Sequence, residues 1–122
     1  MSEATQHHAI NYIEFSTTDI EKTKQFYAGA FGWIFQDWGP DYISFSKATG
    51  GVDGGFRKVD AGAESGPAVP LVVLYSRDLK ATEDAVVAAG GTIVVPPFEF
   101  PGGRRFHFRD PGGNEMAAWK AE

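Results

Sequence analysis

Hydrophobic and polar residues along the chain follow one succession of patterns twice. In the first half, Ile10–Ser16 alternates between the two classes, which predicts a β-strand. Apolar side chains then recur at helical spacing, with Asp19 placed at the positive end of the helix and Gly32 placed to end it. Three further strands are predicted at residues 33–36, 42–47 and 52–58.

The second half repeats this succession. Leu71–Tyr75 is rich in branched residues, which predicts a strand. Asp78 opens a predicted helix, and Gly90 and Gly91 end it. Three further strands are predicted at residues 92–95, 104–108 and 115–119.

Direct alignment of the halves indicates an internal duplication. Residues 12–35 overlay residues 71–94 without a gap. The identical pairs are Asp19 with Asp78, Thr23 with Thr82, Ala30 with Ala89, Gly32 with Gly91, and Ile34 with Ile93. Each half therefore predicts the order strand–helix–strand–strand–strand, and the fold class is α+β, with two tandem βαβββ modules forming paired curved sheets with a cleft. The predicted organisation is a single domain, residues 1–122, with module one at about 9–58, a linker at 59–70 and module two at about 71–119.

Composition narrows the class of protein. The 122 residues are 43% hydrophobic and 22% charged, as in ordinary globular domains. No apolar run is long enough for a membrane span and no signal peptide is evident, so we expect a cytoplasmic protein with no membrane partner. Sixteen acidic residues against 11 basic ones disfavour a nucleic-acid partner. The chain has no cysteine and three histidines, which leaves few metal ligands and no thiol nucleophile.

Two motifs carry a family resemblance over roughly residues 9–119. The first is Phe26-Tyr27 followed by Phe31-Gly32-Trp33, after the first predicted helix. The second is Arg109-Asp110-Pro111-Gly112-Gly113-Asn114, before the last predicted strand. With the duplicated layout, these motifs resemble the vicinal oxygen chelate superfamily, which contains glyoxalase I, bleomycin resistance proteins and extradiol dioxygenases. The resemblance implies a homodimer, and it implies the fold more firmly than any one chemistry.

The resemblance also implies where a metal would be bound. Metal-dependent members place ligands on four strands, at positions that here carry Tyr12, Gly55 (or Gly54), Leu71 and Ala117. Zinc, iron, nickel and manganese need imidazole or carboxylate ligands, and Tyr12 alone cannot hold them. We therefore expect no metal and no cofactor. A different site would need Glu14, Glu115 and His107, which lie two residues from the usual ligand positions.

Strand alternation assigns side chains to the face that would line the cleft. Phe45 is placed on this face because the repeat aligns it with His107. The predicted ligand-binding residues are Tyr12, Phe45, Arg57, Leu71, Val73, Tyr75, Arg105, His107 and Trp119. An apolar and aromatic surface with a few charges is typical of a small-molecule pocket. The alternative is that the aromatic residues form further core or a dimer contact, and that the charged residues only pair with one another.

His107, Glu14 and Glu115 are the candidate catalytic residues. His107 is the one histidine outside the N-terminal segment, and an imidazole exchanges protons near neutral pH. His7 and His8 are predicted to belong to a disordered tail. Residues 96–103, rich in Pro, Gly and Phe, predict a loop that covers the cleft with Phe98 or Phe100. The alternative is a surface connection whose phenylalanines pack on the sheet edge or on a partner chain.

Three functions remain open on the sequence. The first is a metal-independent protein that binds a small apolar or aromatic metabolite and acts as a sequestering or resistance-type binding protein. The second is a glyoxalase-like lyase or isomerase that uses cleft Glu and His side chains for acid–base chemistry, with or without a divalent metal. The third is an interaction module whose cleft is filled by its own side chains. Whether the protein is an enzyme is left open by the residues alone.

Overall fold

The computed structural model describes residues 6–60 and 69–122, and these form two compact units. The first unit contains the described part of residues 12–70. The second contains residues 71–122 together with residues 6–11. Most of the predicted linker, residues 61–68, lies outside the described residues.

The first unit has four strands and two helices. They are β1 (Ile10–Thr17, whose first two residues are counted with the second unit), α1 (Ile20–Phe31), β2 (Phe35–Asp37), β3 (Tyr42–Phe45), α2 (Lys47–Gly50) and β4 (Gly54–Lys58). The strand order is β2-β3-β4-β1, with β1 parallel to β4 and the other pairs antiparallel. The single-turn helix α2 was not predicted.

The two ends of α1 follow the sequence signals. The Asp19 carboxylate accepts a hydrogen bond from the Lys22 backbone N–H at 2.9 Å, which caps the helix N-terminus. Gly32 takes the left-handed conformation, with φ +75°, that ends many helices. An aromatic-rich core joins α1 to one face of the sheet. Its members are Ile43, Phe45 and Phe56, packed with Phe15, Ile20, Tyr27, Trp33 and Phe35.

The second unit repeats this architecture. Its elements are β5 (Leu71–Tyr75), α3 (Leu79–Ala88), β6 (Thr92–Phe100), β7 (Gly103–Arg109) and β8 (Glu115–Ala121). The strand order is β5-β8-β7-β6, with β5 parallel to β8. The core under α3 contains Leu79, Phe106, Phe108 and Ala118, with Leu74, Val86, Ile93 and Met116 against it. The predicted α+β class and duplicated βαβββ order are confirmed. Among the described residues, no helix is long and apolar enough to span a bilayer.

The predicted loop at residues 96–103 is wrong, because β6 continues to Phe100. Phe98 stands opposite Arg105 on β7, and Phe100 stands opposite Gly103. The pairing shifts register between Val95 and Phe98, where the two prolines lie. A proline has no N–H to give to a ladder, so such an irregular stretch accommodates it.

His7 and His8 are also unlike the disordered tail that was predicted. The His8 backbone N–H donates to the Tyr75 carbonyl at 2.6 Å, and the His8 ring is 2.9 Å from the Thr82 hydroxyl. The Nδ1 atom of His7 accepts from the Arg77 backbone N–H at 2.9 Å. Backbone pairing and a polar partner therefore hold this segment to the second unit.

Candidate functional site

The face of the first sheet that lies opposite the α1 core carries polar and aromatic side chains. Glu14 on β1 stands opposite Gly55 on β4, and Gly55 stands opposite Ser44 on β3. In the next row, Arg57 pairs with Ser16 on one side and with Tyr42 on the other. Strand alternation puts Tyr12 on this face with Glu14, as the sequence predicts.

Three of these side chains form a hydrogen-bonded chain. The Tyr42 hydroxyl donates to a carboxylate oxygen of Glu14 at 3.0 Å, and the hydroxyls of Tyr12 and Tyr42 are 2.6 Å apart. Glu14 is only 9% exposed. Burial, followed by the nearby charge of Glu14, raises the pKa of Tyr42 above its usual range. Tyr42 therefore stays a neutral donor, and Tyr12 supplies the proton between the two phenols.

The placement of Phe45 on this face is wrong. Phe45 is 5% exposed and lies in the α1 core, where its ring centroid is 4.5 Å from that of Trp33. Ser44 pairs with Gly55, whereas in the second unit His107 pairs with Ala117, so the segment between the paired residues is one residue longer in the first unit. A shift of one residue moves every side chain of a strand to the opposite face.

The corresponding face of the second sheet contains two rows of paired residues. One row runs Val95, His107, Ala117 and Val73 across β6, β7, β8 and β5. The other runs Phe98, Arg105, Trp119 and Tyr75 across the same strands. We call them the histidine row and the aromatic row. The predicted residues Val73, Tyr75, Arg105, His107 and Trp119 are thus brought together on one sheet face.

The aromatic row and the adjacent Phe100 are joined by edge-on, tilted and cation–π contacts. The Arg105 guanidinium carbon lies 5.5 Å from the Phe98 ring centroid and 5.7 Å from that of Phe100. Trp119 meets Tyr75 edge-on at 5.2 Å, and its indole N–H donates to the Asn11 side chain at 2.7 Å. Neighbouring rings and a satisfied indole therefore fix this row.

His107 and Glu115 form a close polar pair beside the aromatic row. The Nδ1 atom of His107 is 3.0 Å from a carboxylate oxygen of Glu115. The His107 side chain is 13% exposed, and that of Glu115 is 44% exposed. The Phe98 ring centroid is 6.0 Å from the imidazole. A carboxylate that holds one imidazole nitrogen orients the ring for binding or proton exchange at the other nitrogen.

The four positions at which the resemblance implies metal ligands do not fit a metal. In the first unit, Tyr12 is hydrogen-bonded to Tyr42, and a Cβ at Gly55 would lie 2.7 Å from the Tyr12 hydroxyl and closer still to that of Tyr42. In the second unit, Leu71 and Ala117 have no donor atoms in their side chains. Nor do any three His, Cys, Asp or Glu side chains of the described residues gather at one point.

Comparison with known proteins decides the family. The model of the glyoxalase/bleomycin resistance protein/dioxygenase superfamily matches residues 9–117. The chain belongs to this superfamily. The vicinal oxygen chelate resemblance of the sequence motifs is thereby confirmed.

Two relatives show different extents of similarity. A glyoxylase-like domain-containing protein of Didymella fabae is 34% identical over 128 residues, which cover 91% of this chain and 92% of that protein. The protein CFP32 of Mycobacterium tuberculosis is 29% identical over 117 residues, which cover 91% of this chain and 45% of CFP32. The chain thus spans about half the length of CFP32.

A solved glyoxalase structure shares the fold. The Mn(II)-bound glyoxalase from Novosphingobium aromaticivorans superposes with a TM-score of 0.68 at 21% identity. The superposition covers 94% of this chain and 39% of that one. At this identity the likeness shows the fold alone.

Sequence reasoning missed Tyr42 on the first-unit face, and it placed Phe98 and Phe100 in a loop, whereas they lie in strand β6. Tyr42 was overlooked because β3 was assigned the wrong face through Phe45. Phe98 and Phe100 were assigned to a loop because paired prolines ordinarily exclude a strand. Ser44 and Tyr42 are two residues apart on β3, so strand alternation starting from Ser44 would have placed Tyr42 on this face. Only the bulged register of β6 places Phe98 next to Arg105.

Proposed function

We propose that the protein binds a small apolar or aromatic metabolite on the second-unit sheet face and needs no resident metal for it. The aromatic row carries the proposal. Tyr75, Phe98, Phe100 and Trp119 provide ring surface, and the histidine row adds Val73. Ligand sites combine apolar walls with a few placed polar groups, and His107 with Glu115 is such a group here.

The residues at the metal positions support the metal-free part of the proposal. Gly55, Leu71 and Ala117 supply no ligand atom. Binding therefore depends on surface burial and hydrogen bonding. Affinity then comes from removing apolar ligand area from water, at about 25 cal/mol per Å² before the cost of association is subtracted.

Calorimetric titration of the chelator-treated protein tests this proposal. A panel of naphthalene derivatives, indoles and small aliphatic ketones supplies the probes. We expect at least one aromatic compound to bind, to raise the melting temperature, and to do so equally well before and after chelation. Failure of the whole panel, or one tightly held metal per chain by elemental analysis, contradicts the proposal.

A pair of matched tryptophan variants locates the binding. Trp119 lies in the aromatic row, and Trp38 is an exposed residue of the first unit. Trp119→Leu should weaken aromatic binding roughly tenfold, because it removes a ring from the ligand surface. Trp38→Leu should leave the dissociation constant unchanged. Equal affinities for the two variants would place the ligand elsewhere.

A second function, acid–base catalysis, is favoured by the 3.0 Å contact between His107 and Glu115. This arrangement can remove a proton from a carbon next to a carbonyl, or return one, since it presents a single oriented nitrogen. Incubating carbonyl compounds of the panel with the protein in D2O tests it by mass spectrometry. Deuterium uptake by a compound that is lost in His107→Gln supports an enzyme. No uptake in any compound leaves the binding function alone.

We also propose that the chain forms a homodimer, as the resemblance implies. Phe26, Phe31 and Ile34 are 57%, 63% and 72% exposed, and the Phe26 and Phe31 rings are 6.0 Å apart. Apolar side chains exposed in a group are typical of protein interfaces. Light scattering should give twice the chain mass, and Phe31→Glu should give monomers. A monomeric wild type contradicts this proposal.

A further inference from the structure

The polar pair on the second-unit face contains an unsatisfied buried atom. His107 Nδ1 contacts Glu115, whereas His107 Nε2 is buried and makes no hydrogen bond with any described residue. A buried polar atom left without a partner costs free energy, on the order of 1–3 kcal/mol. Native structures keep few such atoms, and each one calls for a specific reason, such as a catalytic role or a partner that binds there.

The contact with Glu115 determines which hydrogen-bonding role the atom has. A carboxylate accepts hydrogen bonds, so the proton of the neutral imidazole is on Nδ1, which faces it. The other nitrogen, Nε2, then carries a lone pair and is an acceptor. Its natural partner is therefore a hydrogen-bond donor.

The surroundings of His107 determine what kind of molecule brings that donor. Val95 and Ala117 are its direct neighbours in the histidine row, and Val73 follows next to Ala117. Ala117 and Val73 are 0% and 2% exposed. The side chains of Val95, Ala117 and Val73 have no polar atom, so none of them hydrogen-bonds to the imidazole. Phe98, of the aromatic row, stands against the ring. An apolar body with one donor group matches these surroundings.

We propose that His107 Nε2 accepts a hydrogen bond from a hydroxyl group of an apolar small molecule, and that Glu115 is the positioning residue that holds the imidazole in the accepting tautomer. This inference rests on the proposed binding function and specifies its ligand class. It predicts that the site selects hydroxylated compounds over methyl ethers of the same size. It also predicts that the site selects them over carboxylates, which would need Nε2 to donate.

Three matched naphthalenes test the preference by calorimetric titration. The probe 2-naphthol donates a hydrogen bond, 2-methoxynaphthalene cannot, and 2-naphthoate carries a negative charge. We expect 2-naphthol to bind about tenfold more tightly than 2-methoxynaphthalene, because the ether leaves Nε2 unpaired. Tighter binding of 2-naphthoate than of 2-naphthol would overturn the inference, because it would mean that Nε2 donates or that Arg105 is the polar contact.

Variants at Glu115 separate tautomer control from packing. A glutamine can still accept from Nδ1 through its carbonyl oxygen, so Glu115→Gln should keep most of the hydroxyl preference. A lysine only donates, so Glu115→Lys turns Nδ1 into the acceptor and puts the proton on Nε2. The Glu115→Lys variant should bind the naphthol and the ether with about equal affinity. Glu115 is 44% exposed, so both variants should fold.

Substitution of the histidine supplies the second arm. His107→Phe should abolish the preference, while His7→Phe, in the same unit but outside both rows, should keep it. Circular dichroism melting of each variant establishes that it is folded. Equal binding of the naphthol and the ether to the wild type overturns this inference and leaves the proposed function standing. Absence of binding by all three naphthalenes, and by the wider panel, overturns both.

Discussion

The two units carry the same architecture and different polar chemistry on equivalent sheet faces. In the first unit, Tyr12, Tyr42 and Glu14 form a hydrogen-bonded chain in which each hydroxyl proton is used. In the second unit, His107 contacts Glu115 through one nitrogen, and its other nitrogen is buried without a partner among the described residues. One duplicated scaffold therefore holds a satisfied network and an unsatisfied pair.

The difference shows that the two copies of a duplicated fold can use equivalent positions for different hydrogen bonding. The phenol chain uses its hydrogen bonds internally, which stabilises the first unit. It fills the space beside Gly55, where the family ligand position lies. The second unit leaves one acceptor unused beside an aromatic row, which costs stability and offers a binding group. This contrast is why the proposed binding site is placed on the second unit.

The largest expected effect is at Gly55. A methyl group there would collide with the hydroxyls of Tyr42 and Tyr12, so Gly55→Ala should lower the free energy of unfolding by about 3 kcal/mol. Gly112 is the matched control, because an added Cβ would lie 3.5 Å from the Asp110 carboxylate, an ordinary contact. Urea denaturation measures both. Equal destabilisation would show that the phenol chain does not fill this space.

The next effect concerns the phenol chain itself. Tyr42→Phe removes the link between Tyr12 and Glu14 and leaves buried polar atoms without that partner. We expect a loss of about 2 kcal/mol in the free energy of unfolding. Tyr75→Phe is the control in the second unit, where the described contact of Tyr75 is through its ring, and it should change stability by less than about 0.5 kcal/mol. If Tyr42→Phe left the free energy of unfolding unchanged, the contrast between the two units would disappear.

A smaller effect is expected at His107. His107→Phe loses one hydrogen bond, to a half-exposed carboxylate, and removes an unsatisfied nitrogen. These changes oppose each other, so stability should stay within about 0.5 kcal/mol of the wild type while hydroxyl selectivity disappears. Strong destabilisation would mean that His107 is a structural residue. Urea midpoints measure the structural role of His107, and naphthol affinities measure its binding role.

The smallest effect is the pH dependence of the N-terminal segment. Partial desolvation, followed by the positive charges of His8 and Arg77, lowers the pKa of His7 below 6.5. The folded state therefore binds this proton less readily than the unfolded state. The contribution of His7 to stability is present above about pH 6.5 and is lost as the pH falls through the lowered value. Urea midpoints should fall more steeply below that pH for the wild type than for His7→Phe, and parallel profiles would contradict this.

The sequence predicted the architecture well because its signals are local. Asp19, Asp78 and Gly32 mark helix ends by chemistry that acts within one turn. Which side chains share a sheet face depends on the register between strands that are distant in the sequence. That register is harder to predict from the sequence. Because the segment between Ser44 and Gly55 has one extra residue, Phe45 lies in the core. Because β6 is bulged, Phe98 pairs with Arg105. The lack of a partner at His107 Nε2 depends on every side chain around it, which strand pattern alone does not predict.

Amide and side-chain NMR of the chelator-treated protein with 2-naphthol tests the central claim most directly. We predict that the largest chemical-shift changes fall on His107, Val73 and Trp119, and that the imidazole Nε2 resonance moves as an accepting nitrogen does. The resonances of Tyr12 and Tyr42 should change less. Largest changes at the two tyrosines, or binding only after a divalent metal is added, would contradict the account.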